Sequence, residues 1–203
     1  KQGGGLTAPA LTAKDMDDIS TAMAFQCEYV AVSFPKNATD MEMARQLAPD
    51  SASIAVSWVC PYEGDVPPEL VLEITKELAA AGADEIAFND TVGRAVPTDV
   101  FDLCQSAKEM FPAQRFAAHF HDTNFTALAN IYAALTAGWN TFDASAGGLG
   151  GCPFSPGASG NIATEKLVWM LERMGIRTGI DFERLTETAD FARRVEAQAK
   201  SKI

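Results

Sequence analysis

The sequence predicts an α/β fold built on a parallel sheet. Short apolar runs rich in β-branched or aromatic residues recur along the 203 residues, at 28–34, 53–59, 84–90, 115–121 and 140–146. Segments with a helical period lie between them, and two of these end at Gly82 and Gly138, where a helix cap is expected. Strands that are apolar on both faces and alternate with amphipathic helices are typical of βα units in a parallel sheet.

The elements follow one another at the spacing of such units. The repeat is roughly 25–32 residues, as expected for βα units. Helical patterns cover 67–83, 97–111 and 124–139, each between two predicted strands. The last stretch, 181–202, predicts a more charged helix with no strand after it.

Composition limits the class of protein. The formal net charge of −11 disfavours a nucleic-acid or anionic-membrane partner. The 47% hydrophobic content suits a soluble chain with one core, and we find neither a secretory leader nor a run of ~18 apolar residues. Four scattered cysteines, without CxxC spacing, favour a reduced, cytoplasmic protein.

Polar groups follow three consecutive predicted strands. The segments after these strands read NDTVG (89–93), HFHDT (119–123) and GGLGGCP (147–153). Active sites of parallel α/β folds form at the carboxyl ends of the strands. The sequence therefore predicts a functional site at this edge of the sheet.

His119 and His121 are the only histidines of the chain. At positions i and i+2 of a strand, both side chains point to the same face, which favours half of a metal site. The alternative is one core histidine with a chance neighbour.

Other polar residues near strand ends have structural interpretations. Asp90 is an acid–base group or a loop cap, and composition alone favours the cap. Asn161 precedes a helical pattern, where an N-cap is the default interpretation, and Asp122 caps the helix that follows the histidines. Cys60 is interpreted as a plain buried thiol.

Cys152 is the candidate reactive thiol. Gly147, Gly148, Gly150 and Gly151 precede it and allow the backbone to approach a ligand closely. A thiol in such a loop is too exposed for ordinary core packing, so we favour a reactive or ligand-contacting role.

These motifs carry a resemblance to a known family. HFHDTNFTALAN and FDASAGGLGGCPFSPGASGNIATEKLVWML, preceded by CPYEGDVPPE and NDTVG, resemble the hydroxymethylglutaryl-CoA lyases, from about residue 54 to 203. The resemblance implies a metal-dependent TIM-barrel lyase that cleaves 3-hydroxy-3-methylglutaryl-CoA to acetyl-CoA and acetoacetate, as in leucine catabolism and ketone-body formation. The cysteine loop disfavours sibling condensing enzymes such as homocitrate synthases.

The resemblance also implies site residues. His119, His121 and Asn161 would bind Mg²⁺ or Mn²⁺. Cys152 would be the catalytic thiol, with Asp90 and His119 as further catalytic residues. The glycines 148, 150 and 151 would form the substrate loop.

The chain departs from this family at several points. Family members usually have Gly at the position of Asn89, and the segment after the histidines differs at Asn124 and Phe125, which allows a longer acyl chain. The family's Arg-Asp element, which supplies a further metal ligand, is absent before Ile54.

Residues 1–48 resemble pyruvate kinase instead, through GGGLTAPALTAKDMDDI and EYVAVSFPKNATDMEMARQLA. The switch near 49–53 predicts a chimera, with a kinase-like segment over 1–50, a lyase-like half-barrel over 51–203, and a single structural domain overall. No catalytic residue of the kinase falls within that segment.

We therefore expect a partial TIM barrel of about five βα units that lacks the first three strands; the alternative is an open parallel α/β sheet. Uncovered edge strands favour a homodimer or association through the sheet edges. The alternative to an acyl-CoA lyase is a non-catalytic scaffold whose site residues are relics.

Overall fold

The computed structural model describes residues 12–24, 30–32, 52–57, 59–60, 64–151 and 159–200. The strands in these ranges are β1 (Val30–Val32), β2 (Ala52–Ser57), β3 (Val59–Cys60), β4 (Gly64–Asp65), β5 (Glu85–Asp90), β6 (Arg115–Phe120) and β7 (Phe142–Asp143). The helices are α1 (Ala13–Ala24), α2 (Pro68–Ala80), α3 (Pro97–Met110), α4 (Ala127–Thr136), α5 (Thr164–Arg173) and α6 (Phe182–Lys200), with a 3₁₀ turn at Ala146–Gly148.

The main sheet is parallel, and its strands follow chain order. The order is β1-β2-β5-β6-β7, while β3 and β4 form a separate antiparallel pair. Because the parallel strands never reverse their order, the usual crossover rule places the connecting helices on one face of the sheet. The predicted α/β class with a parallel sheet is confirmed.

One face of the sheet packs against the helices and forms the core. Ile86, Phe88, Phe116 and Phe120 are buried on this face together with apolar residues of α2 to α5. Successive side chains of a strand alternate between faces, so residues 89 and 119 point to the opposite side. The sheet thus separates a dry helical layer from a face that carries polar groups.

An aromatic cluster fills the centre of this core. The Trp139 ring stacks on Phe116 at 4.7 Å between ring centroids and meets Phe88 edge-on at 5.0 Å. Its indole Nε1–H donates a hydrogen bond to the Cys104 carbonyl at 3.1 Å. Burial raises the pKa of the Cys104 thiol well above its usual range, so this thiol is an inert core residue.

Two helix ends confirm the predicted glycine caps. Gly82 and Gly138 have φ of +85°, the left-handed conformation that glycine adopts at low cost. Next to them, the Ala83 N–H bonds to the Leu78 carbonyl and the Trp139 N–H to the Ala134 carbonyl, as in a Schellman motif.

Strand β7 is shorter than the predicted run 140–146. After Asp143 the chain enters the 3₁₀ turn, and its backbone pairs with a later segment: the Ser145 N–H bonds to the Ile162 carbonyl, and the Thr164 N–H to the Ser145 carbonyl.

No helix in the described part of the chain is long and apolar enough to cross a membrane.

Candidate active site

The two histidines lie together at the carboxyl end of β6. Their ring centroids are 5.2 Å apart, with an angle of 49° between the ring planes. The ladder continues beyond the strand, because the His121 N–H bonds to the Asp90 carbonyl at 3.0 Å. His121 is 4% exposed, and its Nδ1 has no hydrogen-bond partner among the described residues.

Asn161 lies beside His121 in an isolated antiparallel bridge. Its side-chain Nδ2 donates to the Leu149 carbonyl at 2.8 Å, while its buried Oδ1 has no partner in the described ranges. The N-cap interpretation of Asn161 is wrong, because α5 begins at Thr164 and Ala163 is the residue before its first turn. The amide oxygen is therefore available to a ligand.

The surroundings of His121 lower its pKa and favour the neutral imidazole. Loss of hydration lowers the pKa of His121, and the positive charge of a protonated His119 lowers it further. A hydrogen bond with the Ser159 backbone, the Asp90 carboxylate and the Asn161 amide act in the opposite direction without reversing the shift. A neutral imidazole is the form that binds metal ions.

A carboxylate that the sequence reasoning missed lies next to His119. Asp143 on β7 is in register with His119, and its Oδ2 is 3.8 Å from His119 Nδ1. A carboxylate beside one ring nitrogen leaves the other nitrogen to face a ligand. The strand-end rule missed Asp143 because the predicted strand 140–146 placed it in mid-strand, whereas β7 ends at Asp143.

Asn89 lies next to His119, on the side opposite Asp143. The two residues are in register on β5 and β6, and the Asn89 Oδ1 is buried without a partner in the part of the chain described. The departure from the family pattern therefore adds an amide to the polar face, next to a candidate ligand.

Asp90 points to the helical side and holds a loop. Its Oδ1 accepts hydrogen bonds from the Gly93 and Arg94 N–H groups at 2.8 and 3.1 Å, and its Oδ2 accepts one from the Ala95 N–H at 2.7 Å. These bonds support the cap interpretation. A role of Asp90 in proton transfer stays a prediction.

Asp122 likewise supports the start of the next helix. Its Oδ1 accepts a hydrogen bond from the Ala127 N–H at 3.3 Å, and its Oδ2 lies 3.4 Å from Lys166 Nζ. Asp122 is not the N-cap, because Thr126 precedes the first turn of α4, but its carboxylate accepts the N–H of the first helical residue.

The glycine-rich turn packs against the segment that carries Asn161. Gly148 and Gly150 have φ of +70° and +91°, and a Cβ at Gly150 would lie 2.8 Å from Asn161 Nδ2. A Cβ at Gly160 would collide with the backbone carbonyls of Gly148 and Gly150. Gly151 borders open space. Cys152 lies outside the described residues.

The donors that meet here are imidazole nitrogens and amide oxygens. Among the described residues, no three His, Cys, Asp or Glu side chains cluster closely enough to hold a metal ion. The unpaired atoms at the two histidines are His121 Nδ1, the Oδ1 of Asn161 beside it and the Oδ1 of Asn89 beside His119, so the residues fit a mixed nitrogen–oxygen site.

Comparisons with known proteins identify the family of the chain. The HMGL-like family model matches residues 7–192. The hydroxymethylglutaryl-CoA lyase of Bacillus subtilis is 47% identical over 138 residues, 68% of this chain and 46% of that protein. The structure of the HMG-CoA lyase from Brucella melitensis superposes with a TM-score of 0.77 at 34% identity, covering 89% of this chain and 71% of that one.

A third relative was solved with ligands. The HMG-CoA lyase from Acinetobacter baumannii, in complex with coenzyme A and 3-methylmalate, has a TM-score of 0.72 at 29% identity, covering 86% of this chain and 63% of that one. The chain spans under half the length of the curated relative from Bacillus subtilis.

The comparisons give no evidence for a pyruvate-kinase-like segment. One family model runs without interruption across residues 49–53, where the sequence analysis placed a switch. A single βα unit is too short a pattern to separate one TIM-barrel enzyme from another, because every such barrel repeats it. The chain, at the least from residue 7 to residue 192, belongs to the HMGL-like family.

Proposed function

We propose that this chain carries the catalytic face of a carbon–carbon lyase that cleaves 3-hydroxy-3-methylglutaryl-CoA to acetyl-CoA and acetoacetate. The observation that carries the proposal is the meeting of His119, His121 and Asn161, with two unpaired buried donor atoms. The lyase relatives support the choice of reaction.

His119, His121 and the Oδ1 atom of Asn161 would hold Mg²⁺ or Mn²⁺. Imidazole and amide donors, completed by water and substrate oxygens, suit these cations. When bound, the cation would polarise the hydroxyl and carboxylate oxygens of the substrate.

Side chains of the protein carry out the proton transfers. A base accepts the proton of the tertiary hydroxyl, the bond between C2 and C3 breaks, and the electron pair passes to the enolate of acetyl-CoA while acetoacetate leaves. We assign the protonation of that enolate to the Cys152 thiol, whose ordinary pKa of about 8.5 suits a donor. As a metal ligand with Nδ1 beside Asp143, His119 would orient the hydroxyl and not take its proton. Asp90 is the remaining candidate base, and it would first have to release its three amide bonds.

We further propose that the sheet is an arc of a (β/α)₈ barrel. Five parallel strands in unbroken order suit such an arc, and eight close the barrel. The remaining metal ligand would then come from chain segments outside this sequence or from a second copy in a homodimer. The scattered cysteines support a reducing compartment such as the cytoplasm.

The alternative is a non-catalytic scaffold whose site residues are relics. The test measures acetoacetate release from 3-hydroxy-3-methylglutaryl-CoA with Mg²⁺ or Mn²⁺, comparing Cys152→Ala with the buried-thiol control Cys104→Ala. We expect turnover that Cys152→Ala abolishes and Cys104→Ala retains. Absence of both turnover and metal binding would leave only the scaffold.

A further inference from the structure

The last helix is fastened to the glycine-rich turn by a chain of polar contacts. Arg193 on α6 bonds through Nη1 to Glu165 Oε1 at 2.6 Å, and through Nη2 to Asp190 Oδ1 at 2.8 Å. The other oxygen of the same glutamate, Oε2, accepts the Gly147 N–H at 3.0 Å. Glu165 thus bridges the terminal helix and the first residues of the turn.

Packing reinforces these contacts. Gly147 has φ of +77°, and a Cβ there would lie 3.1 Å from both the Ala189 carbonyl oxygen and Arg193 Cγ. The backbone of the turn therefore lies directly against α6, at a distance that suits glycine. Helix α6 therefore has a defined neighbour in the turn, and the proposed reaction gives no reason for this contact.

The same glycine-rich turn also orients the candidate ligand Asn161. Two residues after Gly147, the Leu149 carbonyl accepts the hydrogen bond from Asn161 Nδ2. This bond sets which end of the amide points away from the turn and leaves Oδ1 without a partner beside His121. A displaced turn would take the Leu149 carbonyl with it, and the amide would lose its fixed orientation.

We propose that Arg193 is a positioning residue for Asn161: through Glu165 it holds the turn 147–149 in the place where the Asn161 amide oxygen faces the histidines. This inference rests on the proposed metal site. Arg193 touches neither the histidines nor the amide, so its effect is on the geometry of a ligand and not on the chemistry itself.

The Arg193–Glu165 contact is energetically important because Glu165 is largely buried. The Glu165 side chain is 16% exposed, while that of Arg193 is 44% exposed. An exposed ion pair contributes little, but removing one partner of a largely buried carboxylate leaves that charge short of hydrogen bonds. In Arg193→Ala the carboxylate would keep its backbone N–H contacts, that of Gly147 among them, but lose its guanidinium partner, and we expect it to turn toward water.

The experiment measures Mn²⁺ affinity of the full chain by isothermal titration. Removing an outer partner of a metal ligand weakens metal binding by roughly 10–100-fold, and an indirect contact belongs at the lower end, so we expect about tenfold for Arg193→Ala. Arg193→Lys should recover part of the loss, because an ammonium reaches one carboxylate but lacks the two-pronged geometry. Arg194→Ala, one residue along the same helix, is the matched control and should bind like the wild type.

A double variant separates positioning from general damage. If Arg193 acts through Glu165, the affinity of Arg193→Ala/Glu165→Gln should equal that of Glu165→Gln alone. Circular dichroism confirms that each variant is folded at the titration temperature, and Arg193→Lys and Glu165→Gln carry the test if Arg193→Ala is not.

The outcomes distinguish the two proposals. Wild-type binding with an unchanged Kd in folded Arg193→Ala would overturn the positioning role and leave the proposed function intact. No Mn²⁺ binding by the wild type would overturn the proposed metal site, and the positioning role with it.

Discussion

Phe125 is the one described residue other than glycine with a left-handed backbone. Its φ is +59°, and its side chain is 89% exposed. The turn is held by the Phe125 N–H, which bonds to the Asp122 carbonyl at 3.1 Å, and by Asn124 Nδ2, which bonds to the Gly93 carbonyl at 2.7 Å. The backbone is thus fixed in a conformation that disfavours a side chain, and the ring gains little burial in return.

Replacing Phe125 by glycine should stabilise the protein. The left-handed conformation costs a residue with a Cβ roughly 1–2 kcal/mol. Glycine avoids this cost but loses roughly 0.5–1 kcal/mol through the greater freedom of the unfolded chain. The net gain centres on about 0.75 kcal/mol within a range of about 0–1.5, and the central value corresponds to about 1.5–3 °C in Tm for a domain of this size.

Thermal unfolding followed by circular dichroism measures this effect, and Phe125→Ala is the matched control. Alanine removes the ring but keeps the Cβ, so its Tm should stay close to that of the wild type. If Phe125→Gly lowers Tm, or if both variants shift Tm equally, the ring and not the backbone decides stability, and the reasoning fails.

Three further predictions follow from the same contacts. Gly160→Ala pushes a Cβ against two backbone carbonyls of the glycine-rich turn, so it should cost about 1–3 kcal/mol in urea unfolding and weaken Mn²⁺ binding; an unchanged Kd would contradict it. Trp139→Phe removes the indole N–H bond to the Cys104 carbonyl, which keeps its intrahelical bond within α3, so the free energy of unfolding should fall by about 0.5–1.5 kcal/mol, and an unchanged value would count against that bond. Burial opposes ionisation of Glu165, but the hydrogen bonds from Arg193 and the Gly147 N–H outweigh this effect and lower the pKa of the carboxyl group. The ionised Glu165 therefore stabilises the fold above the ordinary glutamate pKa. This stabilisation is lost as the pH falls through the pKa of the folded state. The stability gap to Glu165→Gln should therefore close in acid, and a gap constant from neutral to acidic pH would refute this assignment.

The sequence alone was enough for the order of the strands in the main sheet and of the helices between them, but it did not anticipate α1 or the antiparallel pair of β3 and β4. Apolar runs and helical periods indicated parallel strands in chain order, because burial on both faces leaves a continuous apolar signal. The caps at Gly82 and Gly138 were equally readable, since a left-handed C-cap is a local property of the chain. His119 and His121 were placed on one face by the two-residue period of a strand.

Local patterns left two polar residues ambiguous. Asn161 before a helix has the same local signal as an N-cap, and only its bond to the Leu149 carbonyl, 12 residues away, shows where the amide points. Asp90 ends a strand as a catalytic acid would, but its three amide bonds depend on how the chain turns after β5.

By itself, therefore, the sequence determined which segments become strands and helices and which edge of the sheet carries polar groups. Only the tertiary structure decided which of those groups meet. Periodicity and capping are set by neighbouring residues, whereas the pairs His119–Asp143 and Glu165–Arg193 join residues 24 and 28 positions apart along the chain. Such contacts arise from strand register and helix packing, which leave no signature at either residue alone.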